Sequence, residues 1–393
     1  VVRKTKEINE IEEANKTKKV PRKNTKRQPK NTELTSMQIE ESLQLTNDEK
    51  NPLDELVEKT LEANQELMSS EQNVSSVDQE VGSSLPIVEA DAEIEKKLIK
   101  PLAGSLGSDL RIFQIHYESW QKQLLDPMFI ALDNAKSTSE LLEFDVFLRL
   151  FKSEYVKDAK LWGALSWRFA EKTGLSGQDL IKSIQANPGY DVYFCNPIPE
   201  NEALFHNMWL QGEISHPQFL GLLQAIFKVT GLPLEALVGI ESIEKCSVAN
   251  YFVGTPKFWE SYLSWVQNFL NLANKQLPPN IRDLMHSSLA DDRGLHGGAT
   301  YVPFIIERLF PLFMKIHADQ LKGFKIALPE RERELNVHVR LLREMKEMSH
   351  RTKSAWLAAC WVNYRNLYLM QTKGKDWCQN NLSNITPREI KFN

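Results

Sequence analysis

Aromatic residues are missing from the first part of this chain: no Phe, Trp or Tyr precedes Phe113 in its 393 residues. A segment without large apolar side chains buries too little surface to offset the entropy of ordering its backbone. Residues 1–109 are therefore expected to form a disordered arm. Cysteine is scarce as well. Cys195, Cys246, Cys360 and Cys378 are the four present, and none forms a C-x-x-C pair. That spacing argues against a structural zinc site and a disulfide framework, and it fits a reducing, cytoplasmic setting. No run of eighteen apolar residues suggests a membrane span. The polar first residues do not read as a signal peptide. The chain begins with Val rather than Met, which is compatible with a fragment. A net charge of −4 gives no global attraction to nucleic acid. Also lacking are the G-x-G-x-x-G fingerprint, a P-loop, a G-x-S-x-G elbow and an H-E-x-x-H pair.

The arm has two compositions. Residues 1–30 are basic, with Arg22, Lys23, Lys26, Arg27 and Lys30 clustered, whereas residues 31–95 are acidic and rich in Ser, Gln and Asn. Within Pro52 to Met68, Leu53, Leu56, Val57 and Leu61 recur at helical spacing. The basic cluster is read first as a solvated tail; anionic lipid at the inner membrane face and nucleic acid are the other readings.

Strands and helices alternate from Arg111 onward, which predicts an α/β layered domain. Ile112–Tyr117, Leu161–Trp167, Asp191–Cys195 and Ser247–Val253 read as strands. Helices are expected over Glu140–Phe151, from an N-cap at Ser176 to Ala186, from His216-Pro217 to Val229, from Pro256 to Leu272, and through Pro303 to Ile316. The charged stretch from Glu330 to Met370 carries Trp356, Trp361, Tyr364 and Tyr368 at near-helical spacing. It is expected to pack on the domain as a C-terminal helical extension, with docking to a partner or a membrane as the other reading.

Several ordered blocks carry a family resemblance. They are Ile112–His116; Trp162-Gly163-Ala164-Leu165-Ser166-Trp167-Arg168 with Lys172-Thr173-Gly174; Asn187–Phe194; Ala249–Val253 with Phe258, Tyr262 and Trp265; and Glu307-Arg308-Leu309-Phe310. Together, over about 200 residues, this pattern resembles bacterial capsular and cell-wall polysaccharide glycosyltransferases with a GT-A-like fold. The resemblance implies a single Rossmann-type nucleotide-sugar-binding domain over 110–320, behind the 1–109 arm and before a 321–393 helical extension. It implies transfer of a sugar from a nucleotide-sugar donor to a glycan or lipid-linked acceptor. Such enzymes commonly hold Mn2+ or Mg2+ with an Asp-x-Asp pair. Here only Asp191 stands at that place, so Arg168, Lys172 or a helix N-terminus becomes the alternative counter-charge for the diphosphate.

The candidate site residues follow from that chemistry. Asp191 is the donor or metal residue, or else a turn cap. Asp133 and Asn134 are placed to read the ribose or base, or else cap a loop. Asn196 lies in a polar-aromatic stretch with Asn207 and Trp209. Glu213 and His216 share one loop and form a candidate acid/base pair, or else a helix-entry loop. The Asp291–Gly298 stretch is rich in glycine and reads as a lid carrying His296, or as an exposed linker. Glu307 is a candidate base beside Arg308, with a structural ion pair as the other reading. Two other functions fit some of these features: a carbohydrate hydrolase using Glu213 and Glu307, and a non-catalytic interaction protein.

Overall fold

The computed structural model describes residues 109–289 and 298–382. The arm before residue 109, with its basic cluster, lies outside the described residues. So does His296, with the rest of the expected lid up to Gly297.

Six strands form one mixed sheet: β1 Leu110–His116, β2 Ile130–Asp133, β3 Leu161–Ser166, β4 Val192–Phe194, β5 Phe252–Gly254 and β6 Gly323–Lys325. Their order is β2-β1-β3-β5-β4-β6. β1 runs parallel to β2 and β3, and β4 runs parallel to β6. β5 is antiparallel to both β3 and β4, so it alone runs against the rest. This is a Rossmann-like α/β arrangement with one reversed strand.

Both faces of the sheet are covered, which explains why β1 is buried along almost its whole length. Alternate residues feed two cores. Phe113, Ile115, Trp162, Val192 and Phe252 point into one, with α1 Glu143–Lys152, α6 Phe219–Thr230, α7 Pro256–Gln276, α8 Pro279–Met285 and α9 Tyr301–Ile316. Ile112, Leu165, Tyr193 and Val253 point into the other, against α2 Phe169–Thr173 and α3 Gly177–Ala186. Period-two alternation sends neighbouring residues to opposite layers. Gly163 lets β3 and β5 approach: a Cβ there would sit 2.1 Å from the Phe252 carbonyl oxygen. Beneath that contact Trp162 stacks on Trp259, with ring centroids 4.2 Å apart, and the Trp259 indole donates to the Trp162 carbonyl.

Two short helices, α4 Pro199–Leu204 and α5 Met208–Ser215, follow β4. They share a separate core with α11 Val337–Thr352, α12 Ala355–Lys373 and α13 Lys375–Leu382, built on Leu204, Met208, Leu342, Trp361 and Leu369. The short α10, Pro329–Glu334, precedes them. The C-terminal helices thus bury one face against α4 and α5.

Several expected elements shift. The strand read at Ser247–Val253 shrinks to Phe252–Gly254. Ser247 Oγ donates to the Ala249 carbonyl, and the Asn250 side chain donates to Glu143, so this stretch serves local and cross-element contacts instead of a ladder. The helix expected from His216 begins only at Phe219, because Gln218 takes a left-handed φ of 71°. The 320/321 division runs through the fold, since β6 adds the sheet's last strand at Gly323–Lys325. Its three residues are too few to show a period.

Candidate active site

The carboxyl ends of β1, β2, β3, β4 and β6 share one edge of the sheet, and the reversed β5 begins there. In open α/β sheets this edge is where ligands bind, because the loops after the strands diverge there. Tyr117 follows β1, Asn134 follows β2, Ser166 ends β3, and Asn250-Tyr251 lead into β5. Two carboxylates reach the same region from the helical layer. Glu143 is the first residue of α1, and Glu307 lies mid-way along α9.

Protein encloses both carboxyls, although each residue as a whole is only partly buried. Burial raises the Glu307 pKa from its ordinary 4.5 to about 7. Repulsion from Glu143 adds to the rise, and the Arg308 and Lys172 charges offset part of it. Burial also raises Glu143, against the pull of Lys172 and a hydrogen bond from Asn250 Nδ2 at 3.2 Å. Arg308 is buried. Its guanidinium donates to the Met208 and Phe304 carbonyls and to Gln211 Oε1, and it lies over the Phe219 ring. Burial lowers its pKa to about 10, so it stays cationic at neutral pH.

Phenols and an ammonium stand near these carboxyls. Lys172 Nζ sits 6.0 Å above the Tyr251 ring, whose hydroxyl is 2.9 Å from Ser166 Oγ. Burial and the nearby Glu143 charge raise the pKa of both Tyr251 and Tyr117, so both phenols keep their protons. The Asn250 Oδ1 is buried without a hydrogen-bond partner, and so is His116 Nδ1 at the end of β1. Burial lowers the His116 pKa and keeps the ring neutral. A buried acceptor without a partner, here beside the Glu143 carboxyl, is available to a ligand at little extra cost.

The residues expected from sequence divide by position. Asn134 is buried beside Tyr117 and accepts from Arg149 on α1. Asp133 is exposed, caps the Ala135 amide and lies 3.8 Å from Lys122. The Lys172 charge reaches Glu307 closely enough to lower its pKa. Arg168 sits at the same edge but pairs outward with Glu171. Asn196 lies at the end of β4, where its Nδ2 donates to Glu202 Oε1 at 2.8 Å while its buried Oδ1 has no partner. Glu213 does other work. Its two oxygens accept from the Gln218 and Leu220 amides, capping the start of α6 in place of a conventional N-cap. His216 is buried against Phe304, with ring centroids 4.1 Å apart. Glu213 and His216 therefore hold the α5–α6 corner.

Asp191 lies at the opposite edge of the sheet, before β4. Its Oδ2 accepts from the Lys322 amide at 2.8 Å, and Lys257 Nζ is 3.9 Å from its Oδ1. A carboxylate so engaged, alone and beside an ammonium, does not fit a divalent-cation ligand. The Asp-Val-Tyr-Phe-Cys pattern could not show which end of the strand would face the site, because a strand's direction in the sheet is set by its neighbours.

Sequence reasoning missed Glu143, Asn250 and Tyr251. A signal existed for Glu143: it stands inside Leu-Leu-Glu-Phe-Asp-Val-Phe, where most neighbours are core residues. A cavity of about 370 Å3 opens along β6 at the same carboxyl edge, lined in part by Asn196, and one of about 390 Å3 lies between α10 and α11. Their charges are largely consumed by one another, since Glu202 pairs with Lys325 and Arg343, and Arg343 with Glu332. Chemistry, more than volume, distinguishes the group around Glu143 and Glu307. No family model, curated protein or solved structure matches the chain.

Proposed function

We propose that this chain is a nucleotide-sugar-dependent glycosyltransferase of GT-A type, with Glu307 as the base that receives the acceptor's proton. The observation carrying this reading is the Glu143–Glu307 pair facing Lys172 at the carboxyl edge of a Rossmann-like sheet. A carboxylate whose pKa lies near 7 is matched to accepting a proton at neutral pH. The acceptor hydroxyl attacks the anomeric carbon and loses its proton to Glu307. The new C–O bond forms as the bond to the diphosphate breaks, and the electron pair leaves with the nucleotide. Lys172 is the cation available to the departing diphosphate. Glu143, at the start of α1, keeps Glu307 basic by like-charge repulsion. Two polar groups, His116 at the end of β1 and Asn134 just after β2, are available to the nucleoside. The absence of a glycine-rich fingerprint after β1 favours a nucleotide sugar over a dinucleotide. In surface polysaccharide synthesis the acceptor is a glycan or a lipid-linked glycan.

The test is a panel of UDP, GDP and CMP and their sugars, each with and without Mg2+ or Mn2+, read by thermal unfolding and then by product analysis. One nucleotide is expected to raise the midpoint by several degrees, and its sugar to be transferred. If no nucleotide stabilises the protein, the proposal fails. Release of free sugar without transfer instead identifies a hydrolase.

A further inference from the structure

The outward face of α12 has no role in the fold. Trp356, Cys360, Asn363, Leu367 and Met370 follow one another at three- and four-residue steps along one stripe, all exposed. Trp356 is 85% exposed, Leu367 59% and Met370 47%. The opposite face, with Ala358, Trp361, Arg365 and Leu369, is buried against the rest of the protein. No exposed residue between Ser354 and Thr372 carries a charge. Cations stand at the two ends instead: Arg351 and Lys353 before the helix, Lys373 as its last residue and Lys375 just after it, all exposed, with Asp376 next to Lys375.

We propose that α12 is a membrane-docking helix that lies flat on an anionic lipid surface. A 19-residue helix spans about 28 Å. Its uncharged stripe would enter the headgroup–acyl boundary, with the Trp356 indole anchored at one end. The cations at both ends meet lipid phosphates. No helix among the described residues is long and apolar enough to cross a membrane, so the helix rests on the surface. The same charges disfavour a second copy of the chain as occupant. Stacked parallel or antiparallel, two α12 helices bring lysine ends onto lysine ends. A lipid surface offers the opposite charge at both.

The structure supplies a local probe. Cys360 is the exposed one of the four cysteines, and it lies on the stripe itself. The full chain is labelled at Cys360 with an environment-sensitive fluorophore. It is then titrated with phosphatidylcholine vesicles with or without phosphatidylglycerol. A blue shift is expected with phosphatidylglycerol only, weakening as salt is raised. Lys353→Gln and Lys373→Gln should each weaken binding about fivefold. Trp356→Ser with Leu367→Ser should abolish the shift while leaving the thermal midpoint unchanged, since both side chains are exposed. Vesicle binding without a shift at Cys360 would place the contact elsewhere and overturn the proposal. A shift that grows with protein concentration in the absence of vesicles would assign the face to a second copy, and would also overturn it.

Discussion

Replacing Glu307 by Gln should make the protein more stable and inactive at once. In the folded protein burial and Glu143 raise the Glu307 pKa from 4.5 to about 7. Native protein then holds a proton that the unfolded chain has released between those two values, so stability falls as pH rises through that window. Below about pH 4.5 both states are protonated and there is no penalty. Above about pH 7 the penalty is complete. At about 1.4 kcal/mol per pH unit the full difference corresponds to about 3 kcal/mol. The solvent contact that Glu307 retains reduces this to about 2 kcal/mol. Gln cannot ionise, so Glu307→Gln should match the wild type near pH 4 and exceed it by about 2 kcal/mol near pH 8. Urea unfolding at the two pH values measures this directly. Transfer activity should fall by about 10²–10⁴-fold. Wild-type kcat/KM should decline as pH drops below about 7, where the base becomes protonated. Parallel pH–stability curves for wild type and variant would refute the raised pKa, and with it the argument that Glu307 is tuned as a base.

Other positions carry equally direct expectations. Glu202 is 1% exposed and is held by Lys325, Arg343 and Asn196; Glu202→Gln leaves two cations facing a neutral group and should cost about 3–5 kcal/mol in urea unfolding. Asn207 caps α5 through the Leu210 amide and donates to the Leu237 and Gly239 carbonyls; Asn207→Ala should cost about 3 kcal/mol, and a loss within experimental error would count against that network. Gly163→Ala drives a methyl into the Phe252 carbonyl and should abolish folded yield, judged by soluble expression and circular dichroism. Normal yield would mean that β3 and β5 are not in the register described.

Much of the fold was legible because its signals are local. Ser176 does cap α3, accepting from the Asp179 amide, and the helix ends at Ala186 before Asn187-Pro188-Gly189. Pro256 opens α7, and the apolar run through Pro303 forms α9. Caps, proline positions and periodicity act within a few residues, so a sequence displays them. Short elements gave no such sign. β2, β6, α4 and α5 are too brief for a period to emerge, and they exist because neighbours satisfy their backbone.

The site was legible only in part. Lys172 and Asn134 were readable as polar groups near predicted strands, and Glu307 as a carboxylate on a predicted helix. Glu213 and His216 showed the same kind of signature and hold a helix corner, because polar residues in a loop serve capping as readily as chemistry. Asp191 falls at the far edge because β4 runs parallel to β3 while β5 is reversed between them. What the sequence determined by itself was composition and local order: an arm without aromatics, an α/β core from Phe113 onward, and aromatic C-terminal helices with one buried face. What only the tertiary structure decided was which charges meet. Glu143 and Glu307 are 164 residues apart in the numbering. They repel each other because the sheet brings α1 and α9 to one edge. Electrostatic coupling depends on distance and burial in three dimensions, and neither quantity is written in sequence separation.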